Sequence, residues 1–263
     1  MSINIGLLDS ALVIVYLAGV LLFGLWIGRG RQTAARYFLG DRSLPWGVLL
    51  LSIVATETST VTFLSIPGLA AAQGGDLTFL QITFGYIVGR FAIIHVLLPL
   101  YFRGQPFTAY EVLESRFGAL SRRVTSILFL LTRNSSDALR LFLTALVLQV
   151  VLGLDLSVSV ILIGVVTIVY TFAGGARSVI WNDAIQFVIY MLGAAAAVAI
   201  IIGTAPGGFS ELAELAVRED KLRVFDFALD FAAPGMTFWA GLAGGAFLTA
   251  ATHGTDQLMV QRY

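Results

Sequence analysis

The chain contains no cysteine, which excludes disulfide bonds and thiolate metal sites. It has only two histidines and no Ser/His/Asp nucleophile motif, so we do not expect an enzyme. Charged residues make up 12% of the 263 residues, and the 16 basic and 16 acidic side chains cancel. This balance gives no indication of a nucleic-acid partner.

Apolar residues are abundant instead. They make up 58% of the chain, and the mean hydropathy is +0.89. A soluble domain of this size needs far more polar surface, so the composition predicts an integral membrane protein. The first apolar stretch has no basic region ahead of it and is too long for a cleaved signal peptide, which favours a retained helix.

Seven apolar segments approach or exceed the roughly 20 residues that cross a bilayer as a helix. We name them A to G and predict a single all-α transmembrane domain over residues 1–263. The segments are A, about 7–28; B, 44–72; C, 77–102; D, 124–152; E, 156–173; F, 178–203; and G, 236–263.

The connections between these segments differ in charge. Lys and Arg concentrate on the cytoplasmic side of membrane proteins, and ten arginines fall on one side of the predicted topology. We therefore expect a multi-pass protein of the cell membrane with its N-terminus outside. The ten are Arg29, Arg31, Arg36, Arg42, Arg103, Arg116, Arg122, Arg123, Arg177 and Arg262.

Polar runs interrupt two of the apolar segments. Segment B contains Ala55–Thr62, five hydroxyl side chains and a glutamate within eight residues, and segment G ends in a polar run over Thr249–Gln257. Unwound backbone at membrane depth survives only where it is buried in protein or lines a cavity. Paired interrupted helices are typical of a transporter binding site.

The predicted topology runs B and G in opposite directions, five helices apart. This is the arrangement of an inverted repeat of five helices, in which B opens the first repeat and G the second. Because only one helix of the second repeat is present, we expect the chain to be truncated at its C-terminal end.

Ionisable groups within the predicted spans are candidates for function. Glu57 could face solute, couple protons or brace the unwound backbone. On segment D, Arg133, Asp137 and Arg140 share one helix face, as an ion-pair ladder with one positive charge left over. Asp183, near the start of F, is either a helix N-terminal carboxylate or a cation waypoint.

Three motifs are specific enough to indicate a family. The stretch Gly174–Gln186 (GGARSVIWNDAIQ), the stretch Gly254–Tyr263 (GTDQLMVQRY) and the stretch Arg36–Trp46 (RYFLGDRSLPW) resemble motifs of the sodium:solute symporter family, which includes sodium–sugar, sodium–proline and sodium–sialic acid carriers. A usual member of that family is about twice as long as this chain.

The resemblance implies a LeuT-like fold, with A as a leading helix, then the first five-helix repeat and the first helix of the second. It implies sodium as the coupling ion and no other cofactor. The backbone carbonyls of Ala55 and Thr58 would be sodium ligands, and Asp183 would lie on the inner sodium route. The remaining ligands belong to a later helix outside this sequence.

The resemblance also nominates residues for solute binding. Glu57 and Arg140 depart from the neutral pattern expected of sugar carriers, which favours a charged or zwitterionic solute. The nominated residues are Ser59, Thr62, Gln81, Ser136, Arg140 and Asp256, with Glu57, Arg133 and Asp137 in coupling or pairing roles.

These observations predict a sodium-coupled symporter that imports a small organic solute by alternating access. The alternatives are a solute sensor with a symporter-like membrane domain and a proton-coupled carrier.

Overall fold

The computed structural model describes residues 6–29, 37, 44–104, 109–229, 236–260 and 262. Much of the Arg36–Trp46 motif, and Gln261 and Tyr263 of segment G, lie outside the described residues. Most of the described residues are helical, with no β-strand among them. The helices are α1 (Leu7–Ile27), α2 (Trp46–Glu57), α3 (Thr60–Ala71), α4 (Ile82–Ala92), α5 (Leu98–Gly104), α6 (Ala109–Phe117), α7 (Ala119–Leu152), α8 (Leu156–Thr204), α9 (Gly208–Arg218), α10 (Phe238–Gly254) and α11 (Gln257–Val260).

Four helical stretches in the described part of the chain are long and apolar enough to cross a membrane. They are Leu7–Ile27, Thr78–Phe102, Ala119–Leu152 and Leu156–Thr204. Thr78–Phe102 joins a 3₁₀ turn, α4, a π-helical turn and the start of α5. Segment B is divided into two shorter helices, α2 and α3.

Helix α8 is too long to be a single span. Its 49 residues would extend about 74 Å as a straight helix, more than twice the thickness of the hydrocarbon core. Gly175 breaks it, with φ 60° and ψ −163°. This left-handed conformation suits glycine, which carries no Cβ. The two arms correspond to segments E and F.

The chain divides into two compact units. The first comprises residues 1–63 and 131–193, and the second comprises residues 64–130 and 194–263. In both, small or polar residues such as Ser52, Ser178 and Thr249 are buried, whereas Leu139 and Phe247 are exposed. Transmembrane helices commonly pack through small residues and direct large apolar side chains to lipid.

In the first unit, α1 packs closely against α8 on both sides of its break. A methyl group added to Gly28 would lie 2.5 Å from Cα of Gly174. The Ser178 hydroxyl donates to the Gly24 carbonyl at 3.1 Å. The small residues therefore allow a side-chain to backbone hydrogen bond between the two helices.

In the second unit, α4 and α10 pack through two glycine pairs. A methyl group on Gly85 would lie 2.5 Å from the Gly241 carbonyl oxygen, and one on Gly245 would lie 2.5 Å from the Ile82 carbonyl oxygen. Both pairs follow the small-xxx-small spacing that brings transmembrane helices together: Gly85 with Gly89, and Gly241 with Gly245.

The connection between α9 and α10 is fastened to the connection between α3 and α4. Arg223 Nε lies 2.9 Å from Asp76 Oδ2, and the Leu77 amide donates to the Arg223 carbonyl at 3.0 Å. Burial alone would raise the pKa of Asp76. Hydrogen bonds from the Thr78 side chain and backbone, and the Arg223 guanidinium, outweigh that effect and hold the pKa below its usual range.

The neighbouring glycines Gly244 and Gly245 offer a matched test of the α4–α10 contact. Gly245→Ala should destabilise the protein by about 1–3 kcal/mol, because the added methyl group overlaps Ile82. Gly244→Ala should be neutral or mildly stabilising, because no atom lies within 4 Å of its added methyl. Thermal unfolding in detergent measures both, and equal stability of the two variants would contradict the close packing.

Candidate functional site

The interrupted helix of segment B breaks at Thr58 and Ser59. Helix α2 ends at Glu57, and Thr58 adopts an extended conformation with φ −83° and ψ 110°. The Thr58 amide and hydroxyl both donate to the Val54 carbonyl, at 3.1 and 3.0 Å. In a continuous helix the Ala55 carbonyl would bond to the amide of Ser59, which here lies in neither helix.

Ser59 directly precedes α3, and Thr62 lies in the first turn of that helix. The Ser59 hydroxyl accepts from the Thr62 amide at 3.3 Å and lies 3.2 Å from the Thr62 hydroxyl. Serine in this position caps a helix by satisfying an amide of its first turn. The structure therefore brings two nominated solute ligands together, with their hydroxyls hydrogen-bonded to each other.

Asp183 of α8 lies beside the last turns of α2. Its Oδ2 atom is 3.0 Å from the hydroxyl of Ser52 and 3.3 Å from that of Thr56, and Ser52 is fully buried. The Thr56 hydroxyl is also 2.9 Å from the Ser52 carbonyl. The carboxylate thus accepts hydrogen bonds from the helix that leads into the break.

Tyr190, seven residues after Asp183 and on the same helical face, reaches the break itself. Its hydroxyl donates to the Thr58 hydroxyl at 3.1 Å. Its ring packs edge-on against Phe63 and Phe187, with centroid distances of 6.3 and 5.2 Å. The second arm of α8 therefore holds the residues on both sides of the break.

On α7, Arg133 and Asp137 pair, with Nε 2.9 Å from Oδ2. Arg140, one turn further on, forms no ion pair with any residue that the structure describes. The predicted ladder is thus present as one bonded pair and one remaining cation. Ser136 is exposed, and Glu57 is half-buried at the last position of α2.

In the second unit, Gln81 is buried, and both its amide nitrogen and its amide oxygen are hydrogen-bonded. Its Nε2 atom donates to the carbonyls of Thr78 and Met236, at 3.0 and 2.8 Å, and its Oε1 atom accepts from the Asp226 amide at 2.9 Å. Sequence reasoning nominated Gln81 for solute binding and did not anticipate this role. A direct contact with solute would require these bonds to break.

The interruption in segment G lies at Thr255 and Asp256, between α10 and α11. The Tyr101 hydroxyl donates to the Gly254 carbonyl at 2.6 Å. Asp256 Oδ1 accepts from the Leu258 amide at 2.8 Å. Nearby, burial raises the pKa of Tyr110 to about 12, and the charge of Asp256 and the neighbouring Tyr101 act in the same direction.

Sequence reasoning missed Ser52, Tyr190 and Tyr101. Signals for the first two existed: Ser52 precedes Thr56 by one turn, and Tyr190 follows Asp183 by two turns. Helical spacing places each on the same face as a residue already singled out. Tyr101 lies 153 residues before its partner Gly254, and no local pattern indicates that contact.

Comparison with known proteins identifies the family. The model of the sodium:solute symporter family matches residues 37–255. The chain belongs to the sodium:solute symporter family. This confirms the recognition made from the three sequence motifs.

Two relatives illustrate the range of the family. The chain is 34% identical over 225 residues to the sodium/sialic acid symporter SiaT of Proteus mirabilis, covering 83% of this chain and 44% of that protein. It is 31% identical over 256 residues to the sodium-dependent multivitamin transporter of Oryctolagus cuniculus, covering 96% of this chain and 39% of that one. The chain thus spans less than half the length of these relatives.

A solved structure of a Na⁺-coupled sialic acid symporter, in a substrate-bound outward-open state, superposes with a TM-score of 0.87 at 30% identity. The match covers 98% of this chain and 53% of that chain. The predicted fold class, an all-helical membrane protein with the LeuT-like fold, is confirmed. The relatives are sodium-coupled carriers, which also supports the prediction that the chain is not an enzyme.

The hydrogen bonds around the first break can be tested by removing one donor at a time. Ser52→Ala should destabilise the protein by about 1 kcal/mol, because the Asp183 carboxylate loses a buried donor. Tyr190→Phe should cost a similar amount while keeping both ring contacts. Unfolding in detergent measures the effect. Ser135→Ala is the control, because among the described residues that exposed hydroxyl bonds only to the Leu131 carbonyl of its own helix. Equal stability of Ser52→Ala and the control would contradict the assigned network.

Proposed function

We propose that this chain is part of a sodium-coupled symporter that imports a small organic solute by alternating access. It contributes the leading helix, the first five-helix repeat and the first helix of the second repeat. The observation that carries the proposal is the interrupted α2–α3 helix, held by Asp183 and Tyr190 in a member of a sodium-symporter family.

The sodium site in this proposal uses the break of segment B. Sodium is a hard cation that prefers oxygen ligands. The backbone carbonyls of Ala55 and Thr58 are the proposed ligands, since the helical ladder ends at Val54. Asp183 is the proposed waypoint on the inner side, where its carboxylate would attract the ion while the hydroxyls of Ser52 and Thr56 orient it.

The proposed solute is charged or zwitterionic and carries a carboxylate. Arg133 is paired with Asp137, whereas Arg140 has no ion-pair partner within the described ranges. An unpaired guanidinium in the middle of an apolar helix is costly unless it meets water or an anion. Related proteins are named for sialic acid and for monocarboxylates, which agrees with this chemistry.

The remaining nominated ligands keep their proposed roles at the two breaks. Ser59 and Thr62 would contribute hydroxyls from the first break, and Asp256 a carboxylate from the second. Ser136 would lie near Arg140 on α7. Gln81 is the weakest candidate, because its amide already makes three hydrogen bonds.

Sodium coupling is tested by uptake into vesicles that contain the protein encoded by the complete reading frame. A sodium gradient should accumulate sialic acid or a monocarboxylate, and replacement of sodium by potassium or choline should abolish that uptake. Arg140→Gln should lower uptake about tenfold or more, because a charge-assisted hydrogen bond to the solute is lost. Arg218→Gln, on exposed α9, is the matched control.

Two results would decide against this proposal. Uptake that is equal in potassium would contradict sodium coupling. Full activity of Arg140→Gln, with sodium dependence retained, would remove Arg140 from the solute site and leave the coupling intact.

The proposed orientation places the N-terminus outside the cell membrane. Residues 1–263 contain no cysteine, so a single cysteine introduced there is the only thiol of this chain. A membrane-impermeant maleimide should label Glu214→Cys on α9 in intact cells. It should label Arg116→Cys on α6 only after permeabilisation. Both side chains are exposed. The reverse pattern would show the opposite orientation.

A further inference from the structure

A cavity of about 440 Å³ lies in the first unit, where the end of α1 meets α8 just after its break. The described residues that line it are Phe23, Trp26, Ile27, Arg177 and Trp181. Four of these five side chains are apolar or aromatic. None of the nominated transport residues is among them.

Arg177 provides the only charge among these lining residues. Its Nε atom is buried and has no hydrogen-bond partner among the residues that the structure describes. None of the described carboxylates forms an ion pair with it. Because the positively charged Arg177 side chain lines the cavity, an anionic oxygen there would be favourable.

The surroundings indicate which anion fits. Trp26 is 61% exposed next to the last residue of α1, and Arg177 follows the break in α8 by two residues. Both positions are at the ends of membrane-spanning helices, where tryptophan and arginine meet lipid headgroups. The aromatic walls would pack against a hydrocarbon chain, whereas a free anion in water gains nothing from them.

We propose that this cavity binds an anionic phospholipid. The phosphate accepts from Arg177, and the first part of an acyl chain lies against Trp26 and Phe23. No carboxylate among the described lining residues could hold the cation of a choline or ethanolamine headgroup. The site therefore prefers a lipid with net negative charge, in keeping with basic pockets between transmembrane helices.

The test measures quenching of tryptophan fluorescence by brominated phospholipids added to the purified protein in detergent. Brominated phosphatidylglycerol should quench at about fivefold lower concentration than brominated phosphatidylcholine, the preference expected from one arginine. Arg177→Gln should abolish this difference, whereas Arg218→Gln, exposed on α9, should retain it. Equal quenching by the two lipids in the unaltered protein, or an unchanged preference in Arg177→Gln, would overturn the proposal.

Two further arms keep the test decisive. Soluble glycerol phosphate should not displace the brominated lipid, and displacement would show that the site takes a free phosphate instead. If Arg177→Gln does not fold, the unaltered protein can be compared in about 0.1 and 1 M KCl, since salt screens attraction between charges. A preference that salt leaves unchanged would then overturn the role of Arg177.

Discussion

The satisfaction of backbone polar groups away from water is the constraint on which this structure depends. A helix that stops inside the membrane leaves carbonyl and amide groups without intrahelical partners, and each costs several kcal/mol in hydrocarbon. At the first break, Thr58 bonds twice to the Val54 carbonyl and Ser59 caps the next helix. At the second break, the Tyr101 hydroxyl donates to the Gly254 carbonyl, and the Asp256 carboxylate accepts from the Leu258 amide.

Close helix packing brings the side chains to these breaks. In the first unit, Gly24 and Gly28 allow α1 to approach α8, whose second arm carries Asp183 and Tyr190. In the second unit, Gly85 and Gly245 allow α4 to approach α10, which leads into the second break. Within a bilayer there is little hydrophobic drive between helices, so van der Waals contact and interhelical hydrogen bonds must hold them. Small residues bring the backbones into van der Waals contact and leave space for hydrogen bonds between the helices.

Much of the fold could be predicted from the sequence because its signals are local. Apolar length marks the spans, and the polar runs around Glu57 and Thr255 mark the interruptions that the structure contains at Thr58 and Thr255. Asp183 and the Arg133–Asp137 spacing were also visible, since a charge in an apolar helix stands out.

The partners of these groups were not visible, because they depend on packing between distant segments. The sequence gives no sign that the Gln81 amide is already bonded within the protein, yet the carbonyl of Met236, 155 residues later, accepts one of its hydrogen bonds. In the sequence, Tyr190 is an ordinary aromatic residue of an apolar helix. Only the fold shows that its hydroxyl bonds to Thr58, 132 residues earlier. Local periodicity assigns a residue to a face of its own helix and leaves open which helix that face will meet.

Depth in the membrane distinguishes Arg140 from Arg177, neither of which forms an ion pair with a described residue. Arg140 lies well inside the 34-residue α7, too far from either end for its side chain to reach the interface readily, so its charge needs water or a ligand in the protein interior. Arg177 lies just beyond the break of α8, where a long side chain can reach the headgroup region. An arginine therefore suits a transported anion at position 140 and a bound lipid at position 177. What differs is the position of the charge relative to the end of its helix, which can be read from the helix boundaries.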